Sequence, residues 1–252
     1  MVKKISIIGS GNVATQLAFA FIKASISIKQ IISKNLKSGQ LLAKKTNSLF
    51  NNDIKNLLKT DLIIICINDD SITNVINSLP DIPIVHTSGT TDISSFKKKK
   101  NIGVLYPIQS LNQELIADFH KIPICIEANT KSFQKKITSL AKKISQKVVY
   151  LNSTQRIHLH VSAVIASNFS NFCYIMAKKN LDNYNLDFSL LKPLIQETTR
   201  KTIHRDPLLN QTGPAKRGDK KIIKKHLTIL KDENYKKIYK LLSETILKEY
   251  EK

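Results

Sequence analysis

The sequence predicts an α/β protein in which a doubly wound parallel sheet is followed by an all-helical part. Three observations predict it. Short β-branched runs alternate with helically spaced segments up to about residue 151, the first run opens directly into a glycine turn, and no strand pattern recurs beyond Ser153. The expected division is residues 1–151 for the sheet and residues 152–252 for the helices.

Residues 4–8, Lys-Ile-Ser-Ile-Ile, form the first strand and end at Gly9-Ser10-Gly11. Val13, Leu17, Ala20 and Phe21 then recur at helical spacing. A second strand is expected at 28–32, followed by a helix carrying Leu36, Leu41 and Leu42. Residues 62–67, Leu-Ile-Ile-Ile-Cys-Ile, are apolar on both faces, as a central parallel strand requires. Further strands are expected at 82–86, 102–105, 122–126 and 148–151. Helical periodicity resumes over 154–180, 188–204, 219–231 and 234–250, separated by Asn/Asp- or Pro/Gly-containing breaks. The segment 206–219 is too long for a simple connector and is a candidate functional loop.

Bulk properties narrow the function classes. The 252 residues hold no apolar stretch of about 18, so a spanning helix is excluded. The opening apolar run stops at Gly9, too short for a signal peptide, and Cys66, Cys125 and Cys173 are odd in number and set in apolar runs. They read as small buried hydrophobes in a reducing, cytoplasmic setting, with no metal site. The formal charge of +21 raises nucleic-acid binding, yet only four of the 40 Lys+Arg residues are arginine and Trp is absent. A drift toward Lys, Ile and Asn accounts for the charge equally well, and nucleic acid is not the expected partner.

Against that background Gly9-Ser10-Gly11-Asn12-Val13-Ala14 carries weight as G-x-G-x-x-A between a strand and a helix. Gly9 permits the tight turn, Gly11 lets backbone approach a pyrophosphate, and Ala14 allows the helix to pack on the strand. The free N–H groups of the helix then favour negative charge. This is the fingerprint of a Rossmann dinucleotide site, with Ser10, Asn12 and Val13 beside the phosphates. An NAD site usually places an acid about 20 residues further on. Here that position reads Ser33-Lys34-Asn35, and the first acidic residue is Asp53. NADP(H) is therefore the expected cofactor, with Ser33 and Lys34 toward its 2′-phosphate. Asn68 and Asp69, after the central strand, and His86, Thr87, Ser88 and Gly89, after the next, are expected to line the nicotinamide side. Asp70 and Ser71 could alternatively serve only as helix caps.

Three groups outside this site could carry chemistry: Tyr106-Pro107-Ile108-Gln109-Ser110, a helical stretch from Arg156 through His160 to Asn168 and Asn171, and Thr212 to Asp219. On a continuous α-helix, positions 160, 164, 168 and 171 share a face, with Arg156 one turn back. Hydride delivery to a ketone leaves an alkoxide, which His160 can protonate and Asn168 can orient. Arg156 or Arg217 could grip a substrate carboxylate through two hydrogen bonds, as lysine cannot. The alternative is a satisfied core histidine, amides that brace a junction, and an Arg156 paired with an acid. His158 lies about 200° around the helix from His160.

The clusters together resemble a two-domain family with an N-terminal Rossmann-like domain and a helical C-terminal domain. That family was long uncharacterised, and some of its members act as an alternative type of ketopantoate reductase. The resemblance covers nearly the whole chain. It rests on Gly9 to Ala14, His86-Thr87-Ser88-Gly89, Tyr106 to Ser110, Arg156…His160…Ser167-Asn168, and Gln211-Thr212-Gly213-Pro214-Ala215-x-Arg217-Gly218-Asp219. The layout is also similar to pyrroline-carboxylate reductase and the deazaflavin-dependent NADP reductases, in which the helical domain commonly forms a dimer and helps complete the site. The resemblance implies an NADPH-dependent reductase of a small oxo-acid, with ketopantoate the leading candidate, and a homodimer. His160 and Asn168 would be catalytic, and Gln109, Ser110, Arg156, Asn171 and Arg217 would contact substrate. The better-known ketopantoate reductase uses a helical lysine as its acid, a role that here falls to His160. An imine reductase of the pyrroline-carboxylate type and a non-catalytic NADP(H)-binding regulator are the alternatives.

Overall fold

The computed structural model describes residues 2–251. The chain separates into two compact units, one ending at Ser167 and the other beginning at Asn168.

In the first unit, strands β1 (Lys4–Ile8), β2 (Ser27–Ile32), β3 (Leu49–Asn51), β4 (Leu62–Ile65), β5 (Ile84–His86), β6 (Ile102–Pro107), β7 (Ile124–Ala128) and β8 (Val148–Tyr150) form one sheet, ordered β3-β2-β1-β4-β5-β6-β7-β8. Helices α1 (Asn12–Lys23), α2 (Leu36–Lys45), α3 (Asp69–Ser78) and α4 (Lys131–Ala141) cover it, and α5 (Ser153–Ala163) follows the last strand. The order reverses at β1 and β4, so a crevice opens beyond the carboxyl ends of these strands, where doubly wound sheets bind ligands. β4 explains its unbroken apolar run: Leu62 and Ile64 belong to the core on one face, and Ile63 and Ile65 to the core on the other. All four are fully buried, the condition under which a parallel strand reads as continuous rather than alternating.

The sheet departs from the all-parallel expectation at one pair: β7 runs antiparallel to β6. No crossover α-helix separates these two strands, and a parallel neighbour needs one. β3 also joins the sheet, pairing with β2 through Gln30, Ile31 and Ile32.

The first unit continues past residue 151 to Ser167, because α5 is fastened to the sheet. Arg156, fully buried, forms an ion pair with Glu127 of β7 and donates to the carbonyl of Thr91. Ser153 also donates to Glu127, at 2.9 and 3.0 Å. A capping box between Asn152 and Gln155 starts the helix.

The second unit contains α6 (Ser170–Asp182), α7 (Lys192–His204), the short turns α8 (Pro207–Asn210) and α9 (Pro214–Arg217), α10 (Lys220–Ile229) and α11 (Glu233–Tyr250). The segment 206–219 is thus largely helical turns, α8 and α9, each led by a proline at its start. Between α5 and α6 the chain makes a π-helical stretch, Val164–Phe169. Its wider turn breaks the spacing that would align residues 160, 164, 168 and 171 on one face. Among the described residues of this unit only Ala215 and Ser243 are buried. Cys173 is exposed there, whereas Cys66 and Cys125 are buried as expected. Burial pushes the Cys66 thiol up to about 12 and Cys125 up to about 11, so neither is a nucleophile at neutral pH. No helix of the described residues is long and apolar enough to cross a membrane.

Candidate functional site

The switch in strand order produces a cleft of about 720 Å³, and most of the residues singled out for the dinucleotide line it. Gly9, Ser10, Gly11, Asn12, Val13, Ser33, Lys34, Asn68, Asp69 and Thr87 all do so. The two glycines serve different purposes. Gly9 has φ +117°, and a Cβ there would lie 2.0 Å from the Cys66 carbonyl oxygen, so the turn itself demands glycine. Gly11 has an ordinary φ of −78°, and nothing lies within 4 Å of where its Cβ would stand. Neither backbone conformation nor protein packing requires glycine at 11; the open space fits the approach of a pyrophosphate to the N-terminus of α1. Ala14, fully buried, lets that helix sit close on the sheet.

Beside the glycine turn three hydroxyls meet, linking it to the end of β2 and the first turn of α2. Ser10 Oγ lies 2.7 Å from Ser33 Oγ and 2.7 Å from Ser38 Oγ. Asn35 caps α2 by accepting from the Ser38 N–H at 3.0 Å and also lines the cleft. Hydroxyls, an amide and the Lys34 ammonium at the end of β2 suit the extra phosphate that distinguishes NADP(H); the carboxylate of Asp53, just past β3, also lines the cleft and accepts from the Lys55 N–H. Asn35→Asp keeps the cap and adds one negative charge. It is expected to weaken NADPH binding at least about tenfold while sparing NADH, since like-charge juxtaposition costs several kcal/mol; fluorescence titration of each cofactor checks this.

Beyond the cleft, the carboxyl ends of β4, β5 and β6 converge on α5. Asp69 accepts from Ser88 Oγ at 2.7 Å and from Thr90, which ties the loop after β5 to the start of α3. Gly89 follows, and a Cβ on it would fall 2.5 Å from His160 Nδ1. The same nitrogen is 3.0 Å from the hydroxyl of Tyr106, the next-to-last residue of β6. His160, half-buried, therefore stands against the loop only two residues beyond Thr87 of the cleft.

Residues 4–87 match the family described as NADP oxidoreductase coenzyme F420-dependent, and residues 122–246 match a domain of unknown function, DUF2520. A Bacteroides fragilis protein assigned as an NADP oxidoreductase is 32% identical, with 98% of each chain covered and a TM-score of 0.92. The chain belongs to this family of NADP oxidoreductases. A Thermotoga maritima protein has the same fold at 22% identity, with 96% of this chain and 99% of that one covered and a TM-score of 0.78. An imine reductase from Myxococcus stipitatus, solved with NADP+, shares the fold at 10% identity and a TM-score of 0.66, over 97% and 92% of the two chains. No curated protein matches in sequence. The cofactor of this family of oxidoreductases is NADP(H).

Several residues of the oxidoreductase lie elsewhere than expected. Arg156 does not face a substrate: it is enclosed with Glu127, because a guanidinium removed from water needs a carboxylate partner. An arginine suits that buried fork better than a lysine would. The space that Gly89 leaves is filled by the His160 ring. Ser88 is buried and spent on Asp69, Thr90 and Thr91. His86 is fully buried in β5, where its Nδ1 accepts from the Ser88 N–H at 3.3 Å and its Nε2 has no partner among the described residues. Gln109 and Ser110 are exposed just past β6, and Gln109 bonds the Ser110 N–H. In the second unit Asn168 and Asn171 are exposed, and Arg217 pairs with Asp219 at 2.7 Å.

Two residues absent from the expected set belong to the site, Ser38 and Gln16, and Tyr106, singled out within the group 106–110, joins it through its contact with His160. Gln16, buried on α1, donates to the carbonyls of Asn112 and Leu115 at 2.6 and 2.7 Å and accepts from the Ala117 N–H at 3.0 Å. With Gln113 donating to the Ser10 carbonyl at 3.0 Å, it straps the loop after β6 to the glycine turn. A glutamine on the buried face of a helix was the available sign, since its amide must find partners.

His86 makes stability pH-dependent. Burial, and secondarily the Arg156 charge, push its pKa down to about 3 from an ordinary 6.5. The folded state therefore rejects a proton that the unfolded chain accepts, and stability falls as pH drops below 6.5 toward 3. Between pH 7 and pH 5 the loss from this group is about 2 kcal/mol. Denaturant unfolding at both pH values should show that loss, and His86→Leu should remove it.

Proposed function

We propose that this oxidoreductase reduces a small oxo-acid with NADPH, ketopantoate to pantoate being the leading reaction, and that His160 supplies the proton. The observation that carries the reading is His160 itself. It is a half-buried imidazole engaged at Nδ1 and free of hydrogen bonds at Nε2 among the described residues, beside the loop that continues from the dinucleotide cleft.

Bound NADPH supplies a hydride to the carbonyl carbon. The electron pair displaced from the C=O bond then rests on oxygen, and the Nε2 proton of cationic His160 moves to that oxygen, leaving neutral imidazole and an alcohol. Gly9 to Val13 would hold the pyrophosphate, and Ser33, Lys34 and Asn35 the 2′-phosphate. Gln109 and Ser110, exposed after β6, suit contacts to substrate, and Asn168, Asn171 and Arg217 remain candidates by chemical type. The unpaired cysteines suit a cytoplasmic setting.

A homodimer is part of the proposal. The second unit leaves Leu190, Leu194, Ile203 and Leu241 more than 60% exposed and has almost no core of its own. Apolar surface on that scale needs a cover, and a two-fold related copy is the commonest one. Sedimentation should give twice the chain mass.

Imine reduction is the second reading, favoured by fold likeness to the imine reductase and to a pyrroline-carboxylate reductase from Streptococcus pyogenes. NADPH consumption with ketopantoate and with 1-pyrroline-5-carboxylate separates the two. Turnover of ketopantoate alone supports the first reading, turnover of the imine alone supports the second, and NADPH binding without turnover of either overturns both.

A further inference from the structure

We propose that Tyr106 is a positioning residue that decides which nitrogen of His160 delivers the proton. This rests on His160 being the proton donor. Tyr106 occupies a rigid place: it lies in β6, paired opposite Cys125 of β7, between buried Leu105 and Pro107. Its hydroxyl is the only hydrogen-bond partner of the His160 ring among the described residues, at 3.0 Å from Nδ1, and the two rings meet edge to face at 5.9 Å. Gly89 confines the ring from another side, where any side chain would strike Nδ1, Cγ and Cβ. The imidazole is held at one nitrogen and on one face, and only Nε2 remains for transfer.

A phenol is suited to this task because it both donates and accepts. Burial raises the Tyr106 pKa above its ordinary value, with Cys125 and Asp69 adding to the effect and Arg156 opposing it, so the hydroxyl keeps its proton at neutral pH. Against cationic His160, which has no acceptor, the phenol oxygen accepts from Nδ1–H. When the Nε2 proton passes to the alkoxide, Nδ1 keeps its own proton and that bond survives without movement of any heavy atom. Against the other neutral tautomer the phenol turns its O–H toward Nδ1. Tyr106 gains and loses no proton in the cycle. A carboxylate at this position would stabilise the cation and resist the transfer; a phenylalanine would leave the ring free to turn.

The test combines Tyr106→Phe with nitrogen NMR of the histidine side chains, His160 being identified by its loss in His160→Gln. In Tyr106→Phe the His160 Nδ1 resonance is expected to shift, in protein free of substrate, while NADPH affinity is retained. With ketopantoate, kcat is expected to fall about 10–100-fold, by analogy with outer-shell partners that orient a histidine ligand on a metal, with KM little changed. In the His160→Gln background the same substitution should cost nothing further. Gly89→Ala, which drives the ring away from Tyr106, should reproduce both the spectral change and the fall in kcat. An unchanged His160 resonance in Tyr106→Phe, or additive losses in the double variant, would overturn the role while leaving His160 as donor. Full activity of His160→Gln would remove the donor, and this role with it.

Discussion

Replacing His160 by glutamine is expected to lower kcat by about 10²–10⁴-fold, the range contributed by a positioned general acid, and to leave NADPH affinity unchanged. The separation follows from placement. His160 is not among the residues lining the dinucleotide cleft; it contacts Tyr106 and Gly89 at the ends of β6 and β5. Glutamine keeps a polar side chain that fits beside Gly89 but cannot carry an exchangeable positive charge. Steady-state NADPH consumption with ketopantoate, set beside fluorescence titration of NADPH, reads both quantities. A matching loss of cofactor affinity would mean that His160 supports the nucleotide instead of the chemistry.

The largest expected effect on stability is at Arg156. Arg156→Ala leaves Glu127 buried and uncompensated, with only Ser153 to bond it, and should lower the unfolding free energy by about 3–5 kcal/mol. The loss comes from the stranded carboxylate more than from the missing attraction. Replacing both partners by apolar groups of similar volume, Arg156→Met with Glu127→Leu, should therefore recover most of it. Denaturant unfolding of the two variants checks the sign of that difference. Because His160 lies one helical turn further along α5, the single variant should also lower kcat.

Arg156 also shows where the sequence stops being legible. One of four arginines among many lysines, Arg156 marked a special position, but its partner Glu127 sits 29 residues earlier in an apolar strand, where nothing in the spacing points back to it. The glycine turn, α1 and β4 were readable because each follows from a local rule: a turn that tolerates no Cβ, or a strand apolar on both faces. β3 was not, being a three-residue edge strand whose pattern is too short to show a period. Nor was the direction of β7, since apolar content records burial and not orientation. The stripe from His160 to Asn171 assumed unbroken α-helical spacing, which the π-helical stretch Val164–Phe169 defeats. At the site, the cofactor half was legible through its fingerprint. Tyr106 and Gly89 acquire their meaning only when β5, β6 and α5 are brought together.

The measurement that tests the central claim most directly is the fate of the hydride. NADPH deuterated at both positions of the nicotinamide C4, incubated with the protein and ketopantoate, should yield pantoate carrying one deuterium on its hydroxyl-bearing carbon, at a rate suppressed in His160→Gln. Deuterium retained in bound NADPH, with ketopantoate unchanged, would contradict the account.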